Sequence, residues 1–210
     1  MTDLIATAPA YRLHTPRLVV RCWAPSDAPL LKRAVDASLE HLRPWLDWSL
    51  EHPISPVAYV ARLRHDRANF DLDRDYAYGI FDRHEREVLG GIAARLGPGA
   101  GAREIGYWAA AAHEGHGLVT EAAAALTRTL FFADAARRLE IHCEPRNVRS
   151  AAVARRLGYE PAPEPRPEAV TPGGRPRDVL VWTMNALLFA SSPCATAPVE
   201  AFDACGSRLL

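Results

Sequence analysis

The sequence predicts a mixed α/β fold, a central and mostly antiparallel sheet flanked by helices. Three observations carry this. Short β-branched runs alternate with longer helical patterns along the chain. Several neighbouring strand segments are joined by tight turns, which makes them antiparallel. Two late helices are long enough to serve as parallel crossovers. The expected order is β-α-α-β-β-β-α-β-α-β-β, which differs from a doubly wound dinucleotide-binding sheet.

Residues 17–23 (RLVVRCW) read as the first strand. Pro25, Ser26 and Asp27 offer a cap for a helix over residues 27–41, which Pro44 ends. Trp45 and Trp48 then flank Asp47 in a proline-bounded turn. Ser55 and Pro56 start a second helix running to about residue 70. Residues 75–81 and 87–96 form a hairpin, and 97–101 is a glycine-rich loop leading to a strand over 103–109. A helix over about 116–136 follows, with Leu118, Ala122, Ala125, Leu126 and Leu130 near one face. Residues 138–144 form a strand. Residues 147–157 form a helix capped by Asn147 and stopped by Gly158. Tyr159 opens a further strand, residues 160–177 form a proline-rich loop with room for a short strand, and 178–184 is the last strand.

The 210 residues suit one domain over 1–188, with 189–210 as a flexible tail that is ordered only if it docks. With 49% hydrophobic and 24% charged residues, the composition is that of a globular protein able to bury a core. Lys+Arg and Asp+Glu are 25 each, which argues against a bulk nucleic-acid binder. The four cysteines are scattered, so neither a zinc knuckle nor a disulfide framework is indicated. There is no signal-peptide pattern and no apolar run of membrane-spanning length. A soluble cytoplasmic protein without membrane or nucleic-acid partners is expected.

The chemistry concentrates where the strand GYWA runs through HEGHG into the helix LVTEAAAAL. Gly115 and Gly117 sit at a strand-to-helix junction, where free helix-start N–H groups and the dipole favour an anion. A tight turn alone would also explain them. His113 and His116 are spaced i, i+3 rather than the i, i+4 of a zinc protease helix, so no metal site is expected. Nor does Ser150 sit in the elbow of a serine hydrolase.

The run E-I-G-Y-W, G-x-G, T-E-A, N-x-x-S and L-G-Y resembles the GCN5-related N-acetyltransferase (GNAT) superfamily. With the early T-P-R-L and L-R-P-W-L, it resembles the branch that acetylates ribosomal-protein N-termini, over about residues 12–186. This resemblance implies a GNAT-type fold, acetyl-CoA as donor and a primary amine, above all a protein N-terminal α-amine, as acceptor. Small amines such as an antibiotic or polyamine, or a non-catalytic acetyl-CoA-binding module, are the alternatives. The pantetheine is expected along the backbone at Trp108 and Ala109, with Asn147 bonding to it. The pyrophosphate is expected on the amides of Glu114, Gly115, His116, Gly117 and Leu118. Ser150 is the expected proton donor to the leaving thiolate. Glu104, and after it Glu168, are the candidate bases. Trp45, Trp48 and Tyr107 are candidates for the acceptor wall. Two departures stand out: Ala112 where Arg or Gln is common, and Ala154 where many members carry a tyrosine donor. A homodimer is left open by the sequence.

Overall fold

The structure, a computed structural model, describes residues 9–163, 166–170 and 176–210, and no side chains within 166–170 or 176–177. Its strands are β1 Arg12–His14, β2 Leu18–Cys22, β3 Asp75–Asp82, β4 Val88–Leu96, β5 Ala102–Ala109, β6 Arg138–Cys143, β7 Glu160–Pro161, β8 Arg166–Val170, β9 Pro176–Asn185 and β10 Glu200–Phe202. The helices are α1 Ala28–Asp36, α2 Leu39–Leu42, α3 Pro56–Asp71, α4 Leu118–Phe132, α5 Val148–Arg156 and α6 Ala186–Ser191. The sheet runs β10-β1-β2-β3-β4-β5-β6-β9-β7, with β8 also paired to β9. Every pairing is antiparallel except β5 with β6. The expected mixed α/β sandwich is therefore the fold.

Each face of the sheet covers its own core. Under α1 and α3 lie Val35, Tyr59, Leu63, Phe81 and their neighbours. Under α4 and α5 lie Ile105, Leu126, Leu139, Trp182 and a larger set. Sheet side chains alternate between the two.

Three expectations need correction. The helix expected over 27–41 is broken in two. Ser38, 2% exposed, turns its hydroxyl back on Ala34 O at 2.7 Å and accepts the N–H of Ala111 at 3.0 Å. That hydroxyl competes with the helix ladder and ends α1. Asp27 does not cap α1 with its side chain; its carboxylate instead accepts Ala24 N–H at 2.8 Å, closing a 3-10 turn over Pro25–Asp27, and takes the Arg21 guanidinium at 2.7 and 2.8 Å. Residues 189–210 are not a loose tail. Phe189 stacks on Phe131 with centroids 4.5 Å apart, Cys194 and Ala201 are fully buried, and β10 pairs with β1. The apolar face of α4 and the edge of β1 need covering, and this segment covers both.

Candidate active site

The sheet opens between β5 and β6. These strands pair only over Ala102–Glu104 against Arg138–Glu140, yet β5 continues to Ala109 and β6 to Cys143. Beyond Glu104 they diverge, and a cleft of about 1620 Å³ occupies the fork and its rims. Ala110 N–H donates to Leu89 O on β4. Strand alternation then turns the backbone groups of Tyr107 and Ala109 into the fork, where an extended ligand could pair with them; those of Trp108, expected to do so, face Gly91 of β4 instead.

One face of the fork carries two hydroxyls. The Tyr107 hydroxyl lies 3.1 Å from Ser150 Oγ and donates to Ser150 O at 3.1 Å. Burial pushes the Tyr107 phenol above its ordinary range, while the Ser150 hydrogen bond pulls it the other way. Ser150 sits in the first turn of α5 because Asn147 caps the helix, its Oδ1 accepting Ser150 N–H at 3.1 Å. The Asn147 Nδ2 donors remain for a ligand. Ala154 is fully buried and does not line the cleft. The phenol expected from the family pattern is missing there, but Tyr107 brings one to Ser150 from β5.

The other face carries Glu104 and the tryptophans. Glu104 Oε2 is 3.7 Å from His142 Nδ1, and His142 Nε2 is 2.7 Å from Glu140 Oε2. Glu140 is fully buried and also pairs with Arg138. A buried carboxylate is tolerated only when paired, and here the pairing orients an imidazole on the cleft wall. Trp108 points away from Tyr107, and Gly91 makes room for it: a Cβ there would meet the indole Nε1 at 2.4 Å. Trp48 packs on Trp108 with centroids 6.0 Å apart, under the Arg62 guanidinium at 4.8 Å. Trp45 lies under Arg146 at 5.8 Å. Both Trp45 and Trp48 line the cleft, half-buried; Trp48 is thus part of the core and of the wall at once. Glu168 lies on β8, and its side chain is outside the described residues.

The paired glycines make the turn into α4. Gly115 and Gly117 have φ of +76° and +73°, where a side chain is strained whatever the space. Gly117 caps α4 without a side-chain bond, and the first intrahelical donor is Glu121 N–H to Gly117 O at 3.0 Å. The N–H groups of Leu118, Val119 and Thr120 are thereby left for a ligand. The turn fits an anion such as a pyrophosphate: open space, oriented amides and a positive dipole end. The T-P-R-L and T-E-A segments, about a hundred residues apart in sequence, meet at this turn, a contact that leaves no local mark in the sequence. Thr15 Oγ1 and Arg17 N–H donate to Glu121 Oε1 at 2.6 and 3.0 Å, and Arg17 Nε donates to Oε2 at 2.6 Å. Arg17 Nη1 also donates to His116 O at 3.0 Å. The strand pair β1–β2 thus clamps the turn. Glu114 meets Arg149 of α5 and His41 of α2, the latter at 3.3 Å.

A split sheet, an anion cradle at a helix start and a hydroxyl pair in the fork define a group-transfer site for a long phosphorylated carrier. The chain belongs to the family of the acetyltransferase (GNAT) domain, whose model matches residues 17–160. It is 29% identical over 157 residues to the [ribosomal protein uS5]-alanine N-acetyltransferase of Escherichia coli (strain K12), covering 74% of this chain and 81% of that one. Its fold matches that of Mycobacterium smegmatis RimJ in complex with CoA-disulfide, with a TM-score of 0.76 at 24% identity over 90% of this chain and 93% of that one. It likewise matches the ribosomal-protein-S5-alanine acetyltransferase of Vibrio fischeri, with a TM-score of 0.71 at 20% identity over 83% of this chain and 96% of that one. No group of three or more metal-ligating side chains occurs among the described residues, and no helix among them is long and apolar enough to cross a membrane.

Proposed function

We propose that this chain moves an acetyl group from acetyl-CoA to the α-amine at a protein N-terminus by direct attack. The observation that carries the reading is the fork itself, with Tyr107 and Ser150 on one face and Glu104 and His142 on the other. The names of the relatives, which act on ribosomal proteins or hold CoA, support the same donor and acceptor. The donor supplies an activated thioester; the residues bind, orient and move protons. The amides of Gly115 to Leu118 hold the pyrophosphate. The backbone of Tyr107 and Ala109 and the Asn147 amide align the arm. The Ala109 N–H polarises the thioester carbonyl.

Trp45, Trp48 and Trp108 wall the side from which the amine arrives. As the new N–C bond forms, Glu104, held by His142, takes the amine proton directly or through water. Glu168 is the second candidate for that role. As the C–S bond breaks, Ser150 gives its proton to the thiolate, with Tyr107 behind it. An α-amine of pKa about 8 is roughly one-tenth neutral at pH 7, whereas a lysine amine is neutral about once in 2,500. A carboxylate base working through water suits the first. On this reading the enzyme works in the cytoplasm.

The test is thiol release from acetyl-CoA over peptides with free N-termini, the same peptides with blocked N-termini, and a panel of small amines. Turnover is expected only with free N-termini. Release with small amines alone would establish the small-molecule reading, and CoA binding without release would make the chain a binding module.

A further inference from the structure

On the side walled by the tryptophans, the cleft has a floor without bulk. Ala77 of β3, Ala93 of β4 and Gly106 of β5 stand abreast on the sheet face that also carries Trp108, and all three line the cleft, half-buried. A Cβ built on Gly106 would meet nothing closer than Arg95 Nη1 at 3.9 Å, so the space above the floor is open. Helix α3 roofs that space with Arg62 and Asp66, one turn apart on one helix face and both lining the cleft.

The two roof charges are fixed in place yet hardly bonded. Arg62 lies over the Trp48 ring at 4.8 Å, and its Nη1 donates to His52 Nε2 at 3.5 Å. His52 is buried, with Nδ1 2.8 Å from the Tyr59 hydroxyl. Burial and the Arg62 charge hold its imidazole below the ordinary range, which keeps it neutral and able to accept from Arg62. A guanidinium carries five N–H donors, and most of those on Arg62 have no partner among the described residues. Asp66 stands 4.0 Å from it, outside hydrogen-bond range. The Asp66 carboxylate accepts no hydrogen bond among the described residues, and burial pushes it above the ordinary carboxyl range despite the nearby arginine.

A donor and an acceptor thus stand side by side without satisfying each other. A peptide group offers the complement, a carbonyl that accepts and an N–H that donates. Trp48 stands between Arg62, at 4.8 Å, and Trp108, at 6.0 Å. An extended chain advances about 3.3 Å per residue, so an α-amine beside Ala109 brings the peptide groups of about its first three residues beneath α3.

We propose that Arg62 and Asp66 read the acceptor's backbone, Arg62 donating to a carbonyl and Asp66 accepting an N–H, so that the site selects peptides over small amines with the same reacting group. The assignment rests on the acetyl-transfer reading and adds to it the residues that choose the class of acceptor.

The test is calorimetry on the full chain saturated with CoA, titrated with alanyl-alanyl-alanine amide and with alaninol, a primary amine without a peptide group. A hydrogen bond to a charged group is worth about tenfold in affinity or more, so the wild type is expected to bind the tripeptide at least about tenfold more tightly. Arg62→Met keeps an apolar stem on Trp48 and removes the donors. It should weaken the tripeptide by about tenfold and leave alaninol and CoA unchanged. In thiol release the same variant should raise KM for the tripeptide while kcat stays within about twofold. Asp66→Ala should also weaken the tripeptide and not alaninol, and Arg62→Lys should recover part of the loss. The Arg62 side chain is 38% exposed, so unchanged melting curves are expected for its variants. The assignment is overturned if the wild type binds the tripeptide no better than alaninol, or if Arg62→Met leaves the tripeptide unchanged, weakens both acceptors alike or weakens CoA as much. Tripeptide binding that depends on Arg62 without any thiol release would overturn the acetyl-transfer reading and leave the backbone contacts standing.

Discussion

At the scale of single residues, the decisive contact is the 3.1 Å approach of the Tyr107 hydroxyl to Ser150 Oγ. Two hydroxyls that share a proton path should fail as a unit. Ser150→Ala is expected to lower kcat by roughly ten- to a thousandfold, within reach of general-acid effects. Tyr107→Phe should lower it by about tenfold, and the double variant should be no worse than Ser150→Ala alone. Full additivity of the two losses in steady-state kcat would show that they act separately. The pH dependence follows from burial. Burial disfavours the phenolate and raises the Tyr107 phenol above its ordinary value, so the proton stays on at pH values where a free tyrosine would lose it. The wild-type kcat should therefore show no downward break below pH about 10, and a break there in a pH profile would remove Tyr107 from the donor path. Sequence alternation separated Tyr107 from Trp108, but nothing in the alternation says which face carries α5. Tyr107 consequently read as acceptor wall, and Ala154 as the loss of the only phenol.

At the scale of elements, the strands and long helices were largely legible. The patterns for α3, α4 and α5, the β3–β4 hairpin and β5 lie within a few residues of the observed bounds. Their periods are regular and their ends carry Ser55, Asn147 and Gly158, which act through local chemistry. The fork was not legible. Its position depends on how many residues of β5 and β6 pair, and a register between strands far apart in sequence leaves no local mark. The break after α1 was hidden for a related reason. Ser38 is an ordinary helix residue until Ala111, far along the chain, donates to its hydroxyl. Ser38→Ala removes that acceptor and the bond to Ala34 O, and leaves the Ala111 N–H without its partner. A stability loss of about 1–2 kcal/mol is expected, read as a lower denaturant midpoint at unchanged slope. An unchanged midpoint would mean that α1, α2 and the turn before α4 are held by packing alone.

At the scale of the whole molecule, the C-terminal segment alters what can be removed. Its sequence lacks a period of 2 or 3.6 because it is mostly small residues and prolines filling gaps, so it read as a flexible tail. Yet Phe189 packs between Phe131 and Phe132, and Arg128 donates to Ala197 O at 2.7 Å. Losing a buried aromatic alone costs about 3–5 kcal/mol, against a total stability of about 5–15 kcal/mol. A chain ending at Leu188 is expected to melt at least about 10 °C lower or to be insoluble. A truncated protein whose thermal midpoint stayed within a few degrees would show that α4 and β1 do not need this cover.

The placement of β10 has one more consequence. The outermost strand of a sheet is a template on which another chain can add its own strand. Here that outermost place is held by a strand three residues long, Glu200–Phe202, and the chain turns back at once to bridge Phe202 with Arg208. So short a strand offers an incoming chain little to grip, and its central residue is already taken, with Ala201 N–H donating to Leu210 O at 3.2 Å and Leu209 N–H donating to Ala201 O at 2.7 Å. The last residues of the chain therefore act as a stop that keeps this side of the sheet from recruiting neighbours.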